Sequence, residues 1–500
     1  YVIRLADRYH AEARNSLMER LRKAGLGCER YFYPIHLQPF IRKQFGFQGG
    51  EFPICERIAE RTVALPFFTQ MSQEQVTSVV ERLKTSLVGL EKVQASIPAE
   101  IPKSKTTETP SSKRQIPFYR VTCEGRELRY VAEVLESGWL TTASKTLELE
   151  RRFAKIVGSK YACAVNSCTA ALHLALEAVG IKAGDTVLVP TMTFTASAEV
   201  VRYLGAEPVL LDVEYGTSLL TPEIVEDGLN KYPNTKAVVV VHFGGHPAAM
   251  IRKNGKGILD ICHERGVAVI EDAAHSFPAR LDGRMIGSFG DATCFSFYAN
   301  KTITSGEGGM LTTNSDAIAR RASIMRLHGI DRDVWDRFSS TAAHWEYDVV
   351  APGYKYNMPD INAAVGLAQL ERADDLFDRR YACVEYYYKR LSKIACLDLP
   401  LCHVPVNDHS WHLFVVILKD NAPIGRDEFI VKLAELGIGT SVHYKPLHRM
   451  TYYKDRYKLT PDRFPNAERI WKGCVSLPVF PAMTDEDLDY VCTAVEQILK

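Results

Sequence analysis

An α/β fold built on a largely parallel sheet is predicted by three features of the sequence. Short β-branched runs, TVLVP from Thr186, PVLLDV from Pro208, AVVVVHF from Ala237 and VAVIED from Val267, recur through the middle of the chain. They are continuously apolar, as strands covered on both faces are, and do not alternate as half-wet strands do. Helical patterns separate them, among them AALHLALEAVG from Ala170 and GILDICHERG from Gly257, which is the alternation that parallel strands with crossover helices require. Ligands in such sheets bind beyond the carboxyl ends of the strands, so the residues just after these runs are the first candidates for function.

A chain of 500 residues exceeds one ordinary core, so two or more domains are expected. Lys and Arg number 61 against 60 for Asp and Glu, and without a basic excess neither nucleic acid nor a membrane surface is an expected partner. No apolar run reaches membrane-spanning length, and YVIRLADRYH lacks the basic-then-apolar order of a signal peptide, so a cytoplasmic protein is expected. The 12 cysteines run from Cys28 to Cys492 with no CxxC pair and no Cys/His cluster at zinc spacing. Reduced thiols and no metal site follow as expectations.

The chain also repeats its own tail. RNSLMERLRKAGLG from Arg14 reads like RDEFIVKLAELGIG from Arg426, and YFYPIH from Tyr31 like HYKPLH from His443, an offset of 412 residues from Pro34 to Pro446. FPICERIAERTVALPFFTQMSQEQ from Phe52 continues in the same register with FPNAERIWKGCVSLPVFPAMTDED from Phe464. Each copy reads as strand, helix, strand, loop, helix and closing helix, a small α+β domain. SIPAEIPKSKTTETPSSKRQ, from Ser96, has the composition of a linker, and about 25 such residues would span roughly 28 Å. The expected organisation is a duplicate of the C-terminal domain over 1–87, a linker over 88–114, a large domain over 115–375 and a small α+β domain over 376–500. Because the first residue is Tyr, a tandem of two units with the first shortened is expected, the alternative being a short accessory copy.

The chemistry concentrates in CFSFYANKTITSGEGGMLTTN, Cys294 to Asn314, where Lys301 stands between two strand-like runs, five residues after Ser296 and before the glycine-rich SGEGGM. A lysine at a strand end among aromatics can be desolvated enough to serve as an amine nucleophile; a solvated surface lysine is the ordinary alternative. VAVIEDAAHS places Asp272 two residues past a buried strand, where it either caps a helix or pairs with a protonated ring nitrogen in a dry site. His275 either meets a ligand oxygen or is a satisfied core histidine. NSCTAALHLALEAVG, from Asn166, turns from small polar residues into a helix, so Ser167, Thr169 and the backbone around Ala170 would aim a helix N-terminus at an anion or simply cap it. Phe194, beyond TVLVP, would stack on a planar ring or fill the core.

Together with IPFYR from Ile116 and SGWLTTASKTLELERRFA from Ser137, these segments resemble the DegT/DnrJ/EryC1/StrS family of sugar aminotransferases over nearly all of Ile116 to Lys500. The resemblance implies a fold type I enzyme dependent on pyridoxal 5'-phosphate, with Lys301 as the Schiff-base lysine, Asp272 at the pyridine nitrogen and His275 near the phenolic oxygen. It implies further that Phe194 stacks on the ring and that Thr169, Ala170 and Ser296 hold the phosphate. APGYKYNMPDINAAVGLAQLERAD, from Ala351, matches the family stretch that reaches the cofactor of a neighbouring subunit, with Asn357 first and Lys355 second, so a homodimer or a tandem pseudo-dimer is implied. One departure is Ala143-Ser144 after Thr142, where the family has Thr-Gly. The YKYN and HYKPLH forms look most like members that aminate a 4-keto sugar nucleotide, with glutamate as donor. Loops around His328, His443, Tyr444 and His448 are the expected substrate contacts, each of them equally able to be structural. A regulatory or scaffold protein keeping the fold without turnover is the alternative, opposed by the intact set of Lys301, Asp272 and Ser296.

Overall fold

The computed structural model describes residues 2–6, 9, 11–30, 34–37, 42, 46–66, 71–88, 90, 114–331 and 348–500. The chain divides into two compact units, residues 1–112 and 113–500. Residues 91–113, most of the expected linker, lie outside the described residues.

In the first unit, β1 (Val2–Arg4) pairs antiparallel with β2 (Thr62–Ala64). The helices Ala11–Lys23 and Gln73–Leu87 pack Leu17, Leu21, Val79 and Leu83 around Val63. The order of elements departs from the expected one. The helix Pro53–Ala59 precedes β2, and ahead of that helix the described residues form the single bridge Glu29 to Ala64.

The second unit is organised by a seven-stranded sheet of β3 (Tyr161–Val165), β4 (Thr186–Pro190), β5 (Glu207–Leu211), β6 (Thr235–Val241), β7 (Ala268–Asp272), β10 (Ala292–Ser296) and β11 (Gly309–Thr313), in the order β3-β11-β10-β7-β6-β4-β5. A two-residue hairpin, β8 (Arg280–Leu281) with β9 (Arg284–Met285), stands apart from it. Only β11 runs against the rest. The apolar runs are covered on both faces: Val187 to Val189 and Val238 to Val240 are fully buried. Gly309 opens β11 because nothing larger fits: an added Cβ would lie 2.5 Å from the carbonyl carbon of Ser167. The β11 backbone is thereby pressed against the turn that starts the helix Cys168–Ala178.

A smaller antiparallel sheet, β12 (Leu397–Asp398), β13 (Phe414–Leu418) and β14 (Cys474–Leu477), packs with the helices Arg426–Glu435 and Asp485–Ile498 around a separate core that includes Phe414, Phe429 and Val491. The boundary expected at 375/376 falls inside one unbroken helix, Ala373–Leu391. Its Leu376 belongs to the large core and its Cys383 to the small one, so the two bodies share a helix.

The turn that carries the Ala143-Ser144 pair is held by a distant carboxylate. Asp360, 2% exposed, accepts hydrogen bonds from the N–H groups of Ala143 (2.7 Å), Lys145 (3.0 Å) and Thr146 (3.0 Å) and from the Thr146 hydroxyl (2.7 Å). It thus caps the helix Ser144–Val157, which has no side-chain cap from its own N-cap residue. Asp360→Ala would strand several buried donors, and the cost of each is about 1–3 kcal/mol. The expected loss is on the order of 3 kcal/mol in urea unfolding of the full chain, with Asp360→Asn intermediate because its amide oxygen still accepts.

Candidate active site

Beyond the carboxyl ends of β3, β4, β7 and β10 lies a cavity of about 440 Å³ whose walls include Ser167, Cys168, Thr169, Phe194, Asp272, His275, Ser296, Tyr298, Asn300, Lys301, His443 and Tyr444. Nine of the fourteen residues expected from the sequence are therefore in one place, and the parallel sheet puts them there by ending its strands on a common side.

Asp272 is the last residue of β7, not two residues past it: the ladder continues to pair it with Val241 and Cys294. No helix follows, so it caps nothing. Its carboxylate accepts from the Ser197 hydroxyl (2.6 Å) and the Ala274 N–H (3.1 Å), and burial raises its pKa against the pull of those bonds. Lys301 follows β10, and burial pushes its amine down to about 8, the Arg380 guanidinium adding to the effect while Cys168 and Asp272 oppose it. Desolvation thus moves both groups toward neutrality.

His275 is held at both ring nitrogens. The Gly244 N–H donates to Nδ1 (3.2 Å), and burial keeps the ring neutral, so its single proton sits on Nε2 and is donated to the Tyr444 hydroxyl oxygen (3.1 Å). The Tyr444 proton is left free for a ligand. Phe194 is 55% exposed, a wall of the cavity and not a core phenylalanine. Ser167 does cap its helix, by accepting from the Ala170 N–H (3.1 Å).

Five expected residues stand elsewhere. Ala170 is buried in its helix with its N–H spent on that cap. Lys355 donates to the Asn357 amide oxygen (2.6 Å), and Asn357 donates to Thr142 (2.8 Å). Both belong to a segment that lies against the turn before the helix, through the Asn166 N–H to the Tyr356 carbonyl (2.7 Å). His328 is exposed, in a left-handed conformation (φ 59°). His448 cannot serve a substrate as expected: Nδ1 is taken by the Thr191 hydroxyl (2.7 Å) and Nε2 by Glu468 (2.6 Å), and the ring stacks on Phe464. His443, by contrast, lines the cavity with Nδ1 bonded to Ser476 (2.7 Å), and burial pushes it down to about 4.

Sequence reading missed Ser197, Asn300, Arg380 and His412. Arg380 comes from the helix Ala373–Leu391, and its guanidinium donates to the carbonyls of Val479 (2.8 Å) and Asn300 (3.4 Å). The single local signal was His412, a histidine directly ahead of the apolar run of β13.

A family model, the DegT/DnrJ/EryC1/StrS aminotransferase family, matches residues 1–84 and 122–496. The chain belongs to this family. Among the DegT/DnrJ/EryC1/StrS relatives, the spore coat polysaccharide biosynthesis protein SpsC of Bacillus subtilis is 43% identical over 75% of this chain and 94% of its own length. The aminotransferase TlmJ of Streptoalloteichus hindustanus has a similar structure, with 32% identity, a TM-score of 0.69 and coverage of 77% of this chain and 99% of its own. Spr1654 of Streptococcus pneumoniae, solved in a PMP form and a PLP form, gives TM-scores of 0.70 and 0.69 at 30% identity, covering 77% of this chain. No helix among the described residues of this family member is long and apolar enough to cross a membrane.

The depressed Lys301 pKa has a consequence for stability. The folded chain binds fewer protons than the unfolded one between about 8, the folded value, and 10.5, so in the cofactor-free protein the penalty of burying the amine is full below that window and fades as pH rises through it. Lys301→Met is expected to be more stable than the parent at neutral pH by on the order of 3 kcal/mol. Denaturant unfolding of both proteins along a pH series should show the gap closing on the alkaline side.

Proposed function

We propose that the chain transfers the amino group of glutamate to a keto sugar nucleotide, a 4-keto sugar being favoured, with pyridoxal 5'-phosphate bound in the cavity around Lys301. The observation that carries this reading is the burial of one amine and one carboxylate in a cavity closed on one side by a helix N-terminus. The residues fit the group. Asp272 is desolvated and, among the described residues, has only neutral hydrogen-bond donors, so it lacks the cationic partner that a protonated ring nitrogen would be. Ser167, Thr169 and Ser296, at the start of one helix and the end of β10, offer hydroxyls and a positive helix end for a phosphate.

The bound cofactor would supply an aldehyde carbon that receives and passes on the amino group, and a ring that accepts electrons. Lys301 supplies the nucleophilic amine and, once released, a general base near neutral pH. Asp272 would keep the proton on the ring nitrogen, Phe194 would cover a ring face, and His275 fixes Tyr444 so that its hydroxyl proton would be available to the ligand. Glutamate and sugar use the same groups in turn, so ping-pong kinetics are expected. Sugar amination is supported by the family itself and by the name of SpsC, a spore coat polysaccharide biosynthesis protein. Purified chain with cofactor and glutamate is expected to aminate 4-keto sugar nucleotides faster than 3-keto ones. Asp272→Asn should retain cofactor but lose about 100-fold or more in turnover, since the amide cannot hold the ring proton. Parent-like turnover would remove Asp272 from the mechanism.

We infer also that residues 1–87 are a copy of the C-terminal small domain. Arg14 donates to the Ala59 carbonyl as Arg426 does to that of Trp471, His36 pairs with Glu56 as His448 does with Glu468, and Ser72 forms a capping box as Thr484 does. Each correspondence keeps the offset of 412 residues. Phe52 and Ile58 are exposed, whereas their counterparts Phe464 and Ile470 are buried in the large core. His36, Glu56 and Glu51 also converge closely enough to hold a cation, but the paired His448 and Glu468 give the first two a structural role.

A shared active site is part of the same reading, with Asn357 and Lys355 reaching the cofactor phosphate of a second copy. Chains carrying Lys301→Ala and chains carrying Asn357→Ala, each inactive alone, should recover activity when mixed under conditions of subunit exchange. Recovery toward a quarter of parent activity is the ceiling, because half the dimers are mixed and each holds one intact site of two. No recovery with exchange demonstrated by mass would place Asn357 in its own subunit's site or outside both.

A further inference from the structure

Lys301 makes its direct side-chain hydrogen bond to a residue that the cavity wall does not include. His412 Nε2 lies 3.3 Å from Lys301 Nζ, across 111 positions of sequence. The ring is 6% exposed, its Nδ1 has no hydrogen-bond partner among the described residues, and its centroid lies 4.5 Å from that of the tilted His275 ring. Cys168, Asp272 and Arg380 act electrostatically on this amine, and the amine in turn acts on His275, His412 and His443. Burial first, and then the neighbouring Lys301, His275, Arg380 and His443, hold His412 neutral.

A neutral imidazole carries one N–H and one lone pair. With the proton on Nδ1, Nε2 accepts from an Nζ–H; with the proton on Nε2, it donates to the Nζ lone pair. One side chain can therefore hold the amine in either protonation state, and the free Nδ1 leaves the choice of tautomer to Lys301.

The backbone around His412 is built for this contact. The Ser410 N–H bonds to the Gly245 carbonyl (3.1 Å), the Ser410 hydroxyl to the His275 carbonyl (2.5 Å) and the Leu413 N–H to the Gly244 carbonyl (3.1 Å). Between them Trp411 is left-handed (φ 51°), a strained conformation for a bulky residue, of the kind that persists where surrounding contacts over-determine it. Those contacts are present: Trp411 is fully buried, donates Nε1–H to the Val406 carbonyl (2.7 Å) and stacks on His409 at 3.8 Å. The backbone on either side of His412 is thus fixed, and with it the point from which that side chain leaves the chain.

We propose that His412 is a positioning residue that holds the Lys301 amine whenever that nitrogen is not bonded to the cofactor, keeping it in reach of the cavity in both protonation states. This rests on the reading of Lys301 as the amine that bonds the cofactor. The small domain then does more than close the cleft: through His412 it sets where the reacting nitrogen waits.

The test uses the full chain with His412→Phe, which keeps the bulk and loses the hydrogen bond, and His412→Gln, which keeps an acceptor and a donor. In cofactor-free protein, carbamylation of Lys301 by cyanate is followed by peptide mass across a pH series. An ammonium deprived of its acceptor in a dry site is disfavoured, so the Phe variant should shift the midpoint down by about one pH unit, or about tenfold in rate at a fixed pH below it. The Gln variant should stay within about threefold of the parent. In cofactor-loaded enzyme, glutamate-driven loss of the cofactor's visible absorbance should slow about tenfold in the Phe variant with KM for glutamate little changed. A Phe variant that titrates like the parent, or a Gln variant that behaves like Phe, overturns the role of His412. A Lys301→Ala chain that keeps the parent's cofactor absorbance overturns the reading of Lys301 instead.

Discussion

Desolvation moves Asp272 and Lys301 in opposite directions on the pH scale and toward the same neutral state, and much of the second unit exists to make that burial tolerable. A lone carboxylate in a dry cleft is costly unless hydrogen bonds reach it, and Ser197 and Ala274 supply them from two different elements. An amine in the same cleft needs an acceptor, and His412 brings one from the far end of the chain. The parallel sheet is what allows the two to meet, because β7 and β10 are neighbours that end on the same side.

The small domain is accordingly part of the site. His412, His443 and Tyr444 enter from its side, and Arg380 joins the two bodies by bonding the Val479 carbonyl with one arm and the Asn300 carbonyl, next to Lys301, with the other. That buried guanidinium forms no ion pair among the described residues; burial lowers its own pKa to about 10, and its charge contributes to depressing Lys301. The unbroken helix Ala373–Leu391, which gives side chains to both cores, keeps these contributions in register with the large domain. Glu271, beside Asp272 on β7, shows the structural counterpart. It is equally buried but satisfied by His242, Thr293 and the Gly290 N–H, and it stays out of the cavity because alternate residues of a strand face opposite ways.

The first unit shows how far an internal repeat can be trusted. The repeated sequence carries a matching Arg-to-carbonyl bond, His–Glu pair and capping box at positions 412 residues apart, since these lie within one small body and depend on local spacing. It misjudged the order of strand and helix, because pairing across β1 and β2 depends on which segment reaches the edge and not on β-propensity alone.

By itself the sequence determined β4 to β7 and the two strands flanking Lys301, the helix that follows Asn166, and the candidates Lys301, Asp272, Ser296 and Phe194 that cluster beyond them, because continuous apolar runs and the turns after them are local properties read over a few residues. Its histidines were ambiguous for the same reason. His448 and His443 sit five residues apart in one motif, yet one is locked between Thr191 and Glu468 and the other faces the cavity. Only the tertiary structure decided between them, just as it found Asp360 capping a helix more than 200 positions away and His412 beside Lys301. These roles depend on which side chain completes the hydrogen bonds of another after both are buried, and that matching exists only once distant segments have packed.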